Sequence, residues 1–174
     1  VLATPLCIGS ETFDTATVDA KGVVFLNRSG YENPMMSLWP WSLSEPIDPF
    51  TIALAAGWGY HAVETEGPNP TRIRAGTATW NGANCLLVEY ENLRNAYYGG
   101  EDALSFQVVI PTADASHAFV NYRDVRGVHM DGGEMVVGIQ GLGGNRSFSY
   151  CEFTPGRIYE GLKLEFNFGL GTDS

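Results

Sequence analysis

Apolar and polar residues alternate along much of the chain in short runs, and turn-forming residues bound each run. The run 104–110 puts every second side chain on an apolar face, and 162–168 repeats this period of two. Asn81–Gly82 lies between the runs 72–80 and 85–90 and has the composition of a two-residue hairpin turn. The pattern therefore predicts an all-β chain.

Further strands are predicted at 15–19, 23–26, 50–56, 117–122, 134–140 and 148–153. The run 50–56 also has the length of a short helix, but Pro49 and Gly57 flank it, and we favour a buried strand. Prolines and tryptophans fill residues 34–49, and because proline removes ladder donors we expect a long loop there.

The spacing of strands and turns predicts one domain, a two-sheet antiparallel β-sandwich of jelly-roll type at 13–174. Residues 1–12 are predicted to be an N-terminal arm. The arm is largely apolar from Val1 to Ile8, whereas a disordered terminus should be polar. We therefore expect it to dock on its own sheet or on a neighbour.

The chain is acidic, with a formal net charge of −10 and an isoelectric point of about 4.6. It lacks a basic patch that could neutralise phosphates, so we expect neither nucleic acid nor an anionic membrane surface as a partner. We also expect no membrane insertion, because no stretch is apolar for long enough. Lys21 and Lys163 are the only lysines. This composition favours a secreted or cell-surface protein.

Two features bear on an extracellular location. Asn27 and Asn145 each begin an Asn-Arg-Ser glycosylation triplet. The three cysteines allow at most one internal disulfide. Pairing Cys7 with Cys151 would staple the arm to a late strand and leave Cys85, which has the setting of a small buried hydrophobe, as the free thiol.

Aromatic residues are the main candidates for ligand binding. A sugar-stacking platform could use Trp39, Trp41, Trp58, Tyr60 and Trp80, because aromatic rings pair with the apolar faces of pyranoses. Tyr97 and Tyr98 form a second aromatic loop. The alternative is that these rings cap the open end of the sandwich.

Catalytic and metal-binding patterns are weak. Glu89 and Glu91 lie two apart on a predicted strand and could form a glycosidase pair, but two solvated carboxylates are the simpler interpretation. There is no G-x-S-x-G motif, and His61, His117 and His129 are far apart in sequence. We expect no cofactor. Asp124, Asp131 and Glu134, in adjoining loops, could gather around a calcium ion, although they lack the EF-hand spacing.

Several segments together resemble nidogen-like extracellular domains. The opening segment 17–25 resembles that family's first two strands, and 49–59 resembles its next buried segment. The segments 105–110 and 119–125 resemble its paired "FQ-apolar" and "F-x-N-Y" strands, followed by the "V-G-I" of 137–139. The resemblance, over about residues 13–150, implies a matrix or cell-surface interaction module without an active site.

We therefore expect a non-enzymatic extracellular module for structure or adhesion that contacts other proteins or copies of itself. The first alternative is a lectin-like domain that binds glycans through its loop aromatics. The second is a jelly-roll glycosidase.

Overall fold

The computed structural model describes residues 1–28, 42–43, 51–97, 102–127, 129–141 and 146–168. These residues form strands and turns, and none of them is helical. The strands are β1 (Leu6–Ile8), β2 (Glu11–Phe13), β3 (Thr15–Asp19), β4 (Val23–Asn27), β5 (Ile52–Gly59), β6 (His61–Ala62), β7 (Arg72–Trp80), β8 (Ala83–Asn95), β9 (Ala103–Pro111), β10 (His117–Arg126), β11 (Met135–Gln140), β12 (Ser147–Glu152) and β13 (Lys163–Asn167). The prediction of an all-β chain is confirmed.

Three antiparallel sheets contain these strands. β1 and β2 form a small sheet, and a five-stranded sheet has the order β12-β11-β5-β4-β3. The six-stranded sheet has the order β13-β10-β9-β8, and β6 and β7 both pair with the far side of β8. The long strand β8 accommodates both because β7 pairs with residues 83–91 and β6 with 94–95.

The predicted strands are confirmed, although their ends differ from the predicted ends by a few residues. Within the run 50–56, strand β5 begins at Ile52 and continues to Gly59, so the helical alternative is wrong. Asn81 and Gly82 connect β7 to β8 with φ angles of 49° and 80°, as the predicted two-residue hairpin turn requires. β8 extends beyond the predicted 85–90 because a bulge between Tyr90 and Leu93 lets the strand continue.

The main hydrophobic core draws on both larger sheets. Val24 and Leu54 of the five-stranded sheet belong to one buried cluster with Val88, Phe106 and Val120 of the six-stranded sheet. Two tyrosine hydroxyls also connect the sheets. Tyr122 donates to the Ala56 carbonyl at 2.6 Å, and Tyr90 donates to the carbonyls of Asp19 and Val23 at 3.0 and 3.2 Å.

The N-terminal arm docks on its own domain. Leu6 and Ile8 of β1 belong to the main core together with Phe13 of β2, and the Leu2 N–H donates to the Asp14 carbonyl at 2.7 Å. The arm was expected to dock either on its own sheet or on a neighbour, and it packs against its own domain. β2 crosses the predicted boundary between residues 12 and 13.

β5 is buried along its whole length, because each of its faces meets a hydrophobic cluster. Leu54 and Ala56 belong to the main core, whereas Ala55 belongs to a second cluster that includes Phe25 and Leu43. A register shift against β11 between residues 55 and 58 inserts an extra β5 residue. This bulge turns Trp58 into the second cluster, although its even number would put it in the main core.

Most of the predicted Pro- and Trp-rich loop at 34–49 lies outside the described residues, which include only Ser42 and Leu43 from it. Both contact the five-stranded sheet: the Leu43 carbonyl accepts from Gln140 Nε2 at 2.7 Å, and Ser42 Oγ donates to Glu152 at 3.1 Å. Among the described residues, no helix has the length and apolarity needed to cross a membrane.

Candidate functional site

The six-stranded sheet has an inner face on the main core and an outer face of mixed chemistry. Strand register aligns the outer side chains into rows across β7, β8, β9, β10 and β13. One row carries polar groups and the next is largely apolar. The polar row is Arg74, Glu89, Gln107, Asn121 and Lys163, and the apolar row is Gly76, Leu87, Val109 and Phe119, ending in Glu165.

Glu89 organises one half of the polar row. Its carboxylate accepts a hydrogen bond from Gln107 Nε2 at 2.6 Å and forms ion pairs with Arg74 at 3.8 Å and Arg123 at 3.5 Å. In the other half, the Asn121 amide has no hydrogen bond, and Lys163 no ion pair, with another described residue. Their donors and acceptors are available to solvent or to a ligand.

Trp80 folds over the apolar row. Its ring lies 4.6 Å from the Phe119 ring, centroid to centroid, and Val109 beside Phe119 is 1% exposed. The rings form one wall of a hollow of about 490 Å³, with Gln107 and Asn121 also in its lining and Lys163 and Glu165 on β13. The sequence named Trp80 as an aromatic candidate, but nothing in it indicates that the folded sheet brings Phe119 against the Trp80 ring.

Two further hollows continue this surface. The second, of about 370 Å³, shares Arg123 with the first, and the third, of about 190 Å³, shares Glu89 with the second. The second also contains Asn92, at the β8 bulge, with Ser105. Together the three hollows form a groove, which we call the outer groove, running from β13 towards β7 across the outer face.

β7 provides a second functional feature, an open sheet edge. Among the described residues β7 pairs only with β8. A two-residue hairpin turn closes on a hydrogen-bonded pair, here Trp80 and Ala83, so even-numbered β7 residues bond to β8. The odd-numbered residues Ala75, Thr77 and Thr79 consequently direct their N–H and C=O groups away from the sheet.

Little in the sequence of β7 protects this edge. Proteins commonly block an exposed edge with prolines, charges, bulges or a very short strand. β7 has nine residues in uninterrupted register, and its centre, 75–79, contains no charge and no proline. Ala75, Gly76, Thr77 and Thr79 are exposed, and a Cβ added at Gly76 would meet no atom within 4 Å.

The predicted aromatic platform does not form as one surface. Trp58 is 0% exposed, so the prediction that it contacts a ligand is wrong, and the β5 bulge is the physical reason. Tyr97 is 56% exposed and stacks on Tyr60 with 4.6 Å between ring centroids, far along the sheet from Trp80. Trp39, Trp41 and Tyr98 lie outside the described residues.

The calcium candidates do not converge. Asp124 pairs with Arg126 at 2.8 Å, while Asp131 accepts from the N–H groups of Gly133 and Gly156. Glu134 accepts from Asn95 Nδ2 at 3.0 Å and contacts His129 Nδ1 at 3.2 Å. In the described parts of the chain, no three His, Cys, Asp or Glu side chains gather closely enough to hold a metal ion.

The predicted Cys7–Cys151 disulfide is not formed. All three cysteines are free: Cys7 is exposed on β1, and Cys151 is buried with its Sγ 3.5 Å from the carbonyls of Gly132 and Thr154. The interpretation of Cys85 as a buried small hydrophobe is confirmed, since it is 1% exposed. Burial raises the pKa of the Cys85 and Cys151 thiols, which disfavours their reactive thiolate forms.

The first glycosylation triplet begins at a buried side chain. Asn27 is 1% exposed, and its Nδ2, which would carry the glycan, donates to Thr17 Oγ1 at 2.8 Å. The folded structure therefore argues against a glycan on Asn27. A short sequence triplet cannot reveal that its first residue pairs across a hairpin. Asn145 lies outside the described residues.

The strongest acid–base cluster surrounds His117. His117 Nδ1 lies 2.8 Å from Glu165, and its Nε2 lies 3.9 Å from Asp114. The Ser116 hydroxyl donates to Asp114, which lowers the pKa of that carboxyl. Because the serine bonds to the carboxylate, the cluster lacks the Ser–His contact that activates a nucleophile. Glu89 and Glu91 are likewise held by ion pairs with Arg74.

Comparison with protein-family models, with curated proteins and with solved structures gives no match to this chain. The nidogen-like resemblance accordingly stays a prediction.

Proposed function

We propose that this chain is a non-enzymatic extracellular module for structure or adhesion, and that it contacts other protein molecules by strand addition at the β7 edge. The observation that carries the proposal is the long, regular and uncharged centre of β7, whose outward backbone groups have no partner among the described residues. An extended strand could satisfy them by continuing the ladder of the six-stranded sheet.

The partner that β7 fits best is β7 of a second copy. Two antiparallel copies of one strand are self-complementary about a two-fold axis, the commonest symmetry of oligomers. With the axis at Thr77, each Thr77 faces its equivalent and Ala75 faces Thr79 of the second copy. The side chains at these positions are small, so the two edges can approach to ladder distance.

The same register brings no like charges together on the outer face. There, Arg74 of each copy lies opposite the uncharged Trp80 of the other. The Arg74 side chain is 53% exposed and keeps its ion pairs with Glu89 and Glu91 of its own molecule, and like charges directly opposite would destabilise the pairing. The module would thus extend its six-stranded sheet into a continuous sheet across two molecules.

In this proposal the two larger sheets are the layers of a sandwich, and the jelly-roll connection is its expected form. The shared core cluster and the cross-sheet bonds of Tyr90 and Tyr122 support the layered arrangement. The acidic composition supports a secreted or cell-surface location. A nidogen-like relationship would agree with a module of this kind.

Light scattering of the purified chain over a concentration series tests the proposal. We expect self-association at concentrations on the order of micromolar. Ala75→Lys introduces a charge on an outward position of the edge, as natural edge strands do to prevent pairing. We expect it to weaken association by at least about tenfold.

The matched control is Ala113→Lys, which makes the same substitution at an exposed alanine in the turn between β9 and β10. It should associate like the unmodified chain. A chain that stays monomeric at high concentration, or an equal effect of the two lysines, would remove the support for β7-mediated assembly.

A further inference from the structure

We propose that the outer groove binds a neutral oligosaccharide of several pyranose units. Of the predicted aromatic platform the site uses only Trp80, and from β7 it uses side chains on the outer face, not the outward backbone groups of the edge. Its elements are the ring pair Trp80–Phe119, the amides of Gln107 and Asn121, and the charged groups of the polar row. One molecule forms the whole groove, so the proposal does not depend on assembly.

The shape of the groove suits a chain of sugars. Its three adjoining hollows measure about 490, 370 and 190 Å³ and are open to solvent along the sheet, as a site that holds an extended chain side-on must be. The distance from β13 to β7 is four strand spacings, about 19 Å, which is longer than one sugar ring. The shared residues Arg123 and Glu89 mark where successive units would meet.

The chemistry of the lining matches a polyhydroxylated ligand. Trp80 and Phe119 offer aromatic surface for the apolar face of a pyranose. Asn121 offers an amide donor and acceptor with no other bond among the described residues, and Ser105 and Asn92 add further polar groups in the second hollow. Sugar hydroxyls need donors and acceptors close together, and the groove supplies both.

Charge favours a neutral saccharide over an acidic one. Carboxylates slightly outnumber cations in the groove, and the chain as a whole carries −10. A uronate or sulfated chain would be repelled. The lining charges are the cations Arg74, Arg123 and Lys163 and the carboxylates Glu89, Glu91, Asp124 and Glu165.

An extended peptide fits this face less well. Most backbone groups of β8, β9 and β10 are paired with neighbouring strands, so the first two hollows offer mainly side chains. A peptide bound there would leave many of its own backbone groups without partners. A saccharide instead can place the apolar face of a ring on Trp80 and Phe119 while its outward hydroxyls stay hydrated.

Calorimetric titration with a panel of neutral hexasaccharides tests the proposal. The probes are cellohexaose, xylohexaose, laminarihexaose and mannohexaose, with the corresponding disaccharides and with hexagalacturonate as the acidic comparison. We expect at least one neutral hexasaccharide to bind, and more tightly than its disaccharide. Asn121→Ala should weaken that binding about tenfold, the loss of one or two good hydrogen bonds.

Trp80→Ala should also weaken it about tenfold, and Trp80→Phe should recover most of the loss because an aromatic face is kept. The matched control is Asn84→Ala, which removes an exposed amide on the opposite face of β8 and should leave affinity unchanged. Thermal melts of each variant show that the fold is intact. The proposal is overturned if no neutral hexasaccharide binds, if only hexagalacturonate or an extended Ser/Thr hexapeptide binds, or if affinity survives both Asn121→Ala and Trp80→Ala.

Discussion

The cross-strand rows of the six-stranded sheet run between two edge strands, β7 and β13. Side chains at the two ends of a row differ in how deeply they are buried. Thr77 pairs with Leu86, and Leu86 with Ile110. Continuing the β9–β10 register by one residue places Ala118 beside Ile110, and Ala118 pairs with Phe166. At the β7 end Thr77 is exposed, whereas at the β13 end Phe166 is 3% exposed within the main core. A single row of paired residues thus begins in solvent and ends in the core.

The edges also differ in protection. β13 has five residues, and the charged Lys163 and Glu165 alternate along its outer side. Short length and charge are the devices that prevent unwanted strand pairing, and the centre of β7 has neither. The difference indicates that β13 terminates the sheet and β7 leaves it ready to continue.

The largest expected effect is a difference in stability between substitutions at the two ends of this row. Phe166→Ala opens a cavity in the core and should lower the free energy of unfolding by about 3–5 kcal/mol. Thr77→Ala, at the other end of the row, should change it by less than about 0.5 kcal/mol, because the side chain is exposed. Urea denaturation of both variants measures the difference, and equal losses would show that β7 is as well anchored as β13.

The next effect concerns the strands between the two edges. Tyr122→Phe deletes the hydroxyl that donates to the Ala56 carbonyl at 2.6 Å and leaves that buried acceptor unpaired. We expect a loss of about 1–3 kcal/mol in the free energy of unfolding. Tyr159→Phe is the control, because Tyr159 is 57% exposed and water replaces its hydroxyl contacts. If the two losses are alike, the cross-sheet bond contributes nothing to stability.

A smaller effect, on the pH dependence of stability, is expected at His61 of β6, the strand that lies on the same side of β8 as β7. Burial lowers the pKa of His61 below its ordinary value of 6.5, and its Nε2 contacts the Gly57 carbonyl at 2.7 Å. Because the folded state binds the proton less well than the unfolded chain, the contribution of His61 to stability is present above 6.5 and is lost as the pH falls below it. Denaturant titrations at stepped pH should therefore show a shallower acid loss for His61→Gln, and an unchanged pH dependence would contradict this.

Much of this fold was predictable because alternation reports which side of a strand is buried. The runs 104–110 and 72–80 and the turn at Asn81 were recognised in this way. Alternation does not report an inserted residue, so the β5 bulge and the burial of Trp58 were missed. Nor does it report how the strands pair, which leaves β7 at an edge, or long-range contacts such as the ring pair of Trp80 and Phe119.

Hydrogen exchange at individual β7 amides tests the strand-addition proposal most directly. The N–H groups of Ala75, Thr77 and Thr79 point outward, while those of Gly76 and Ala78 bond to β8 and serve as an internal reference. We predict that the outward amides exchange rapidly in dilute solution and become protected as the concentration rises, whereas the reference amides stay protected throughout. Outward amides that exchange equally fast at every concentration, in a sample that light scattering shows to be associated, would contradict assembly through β7.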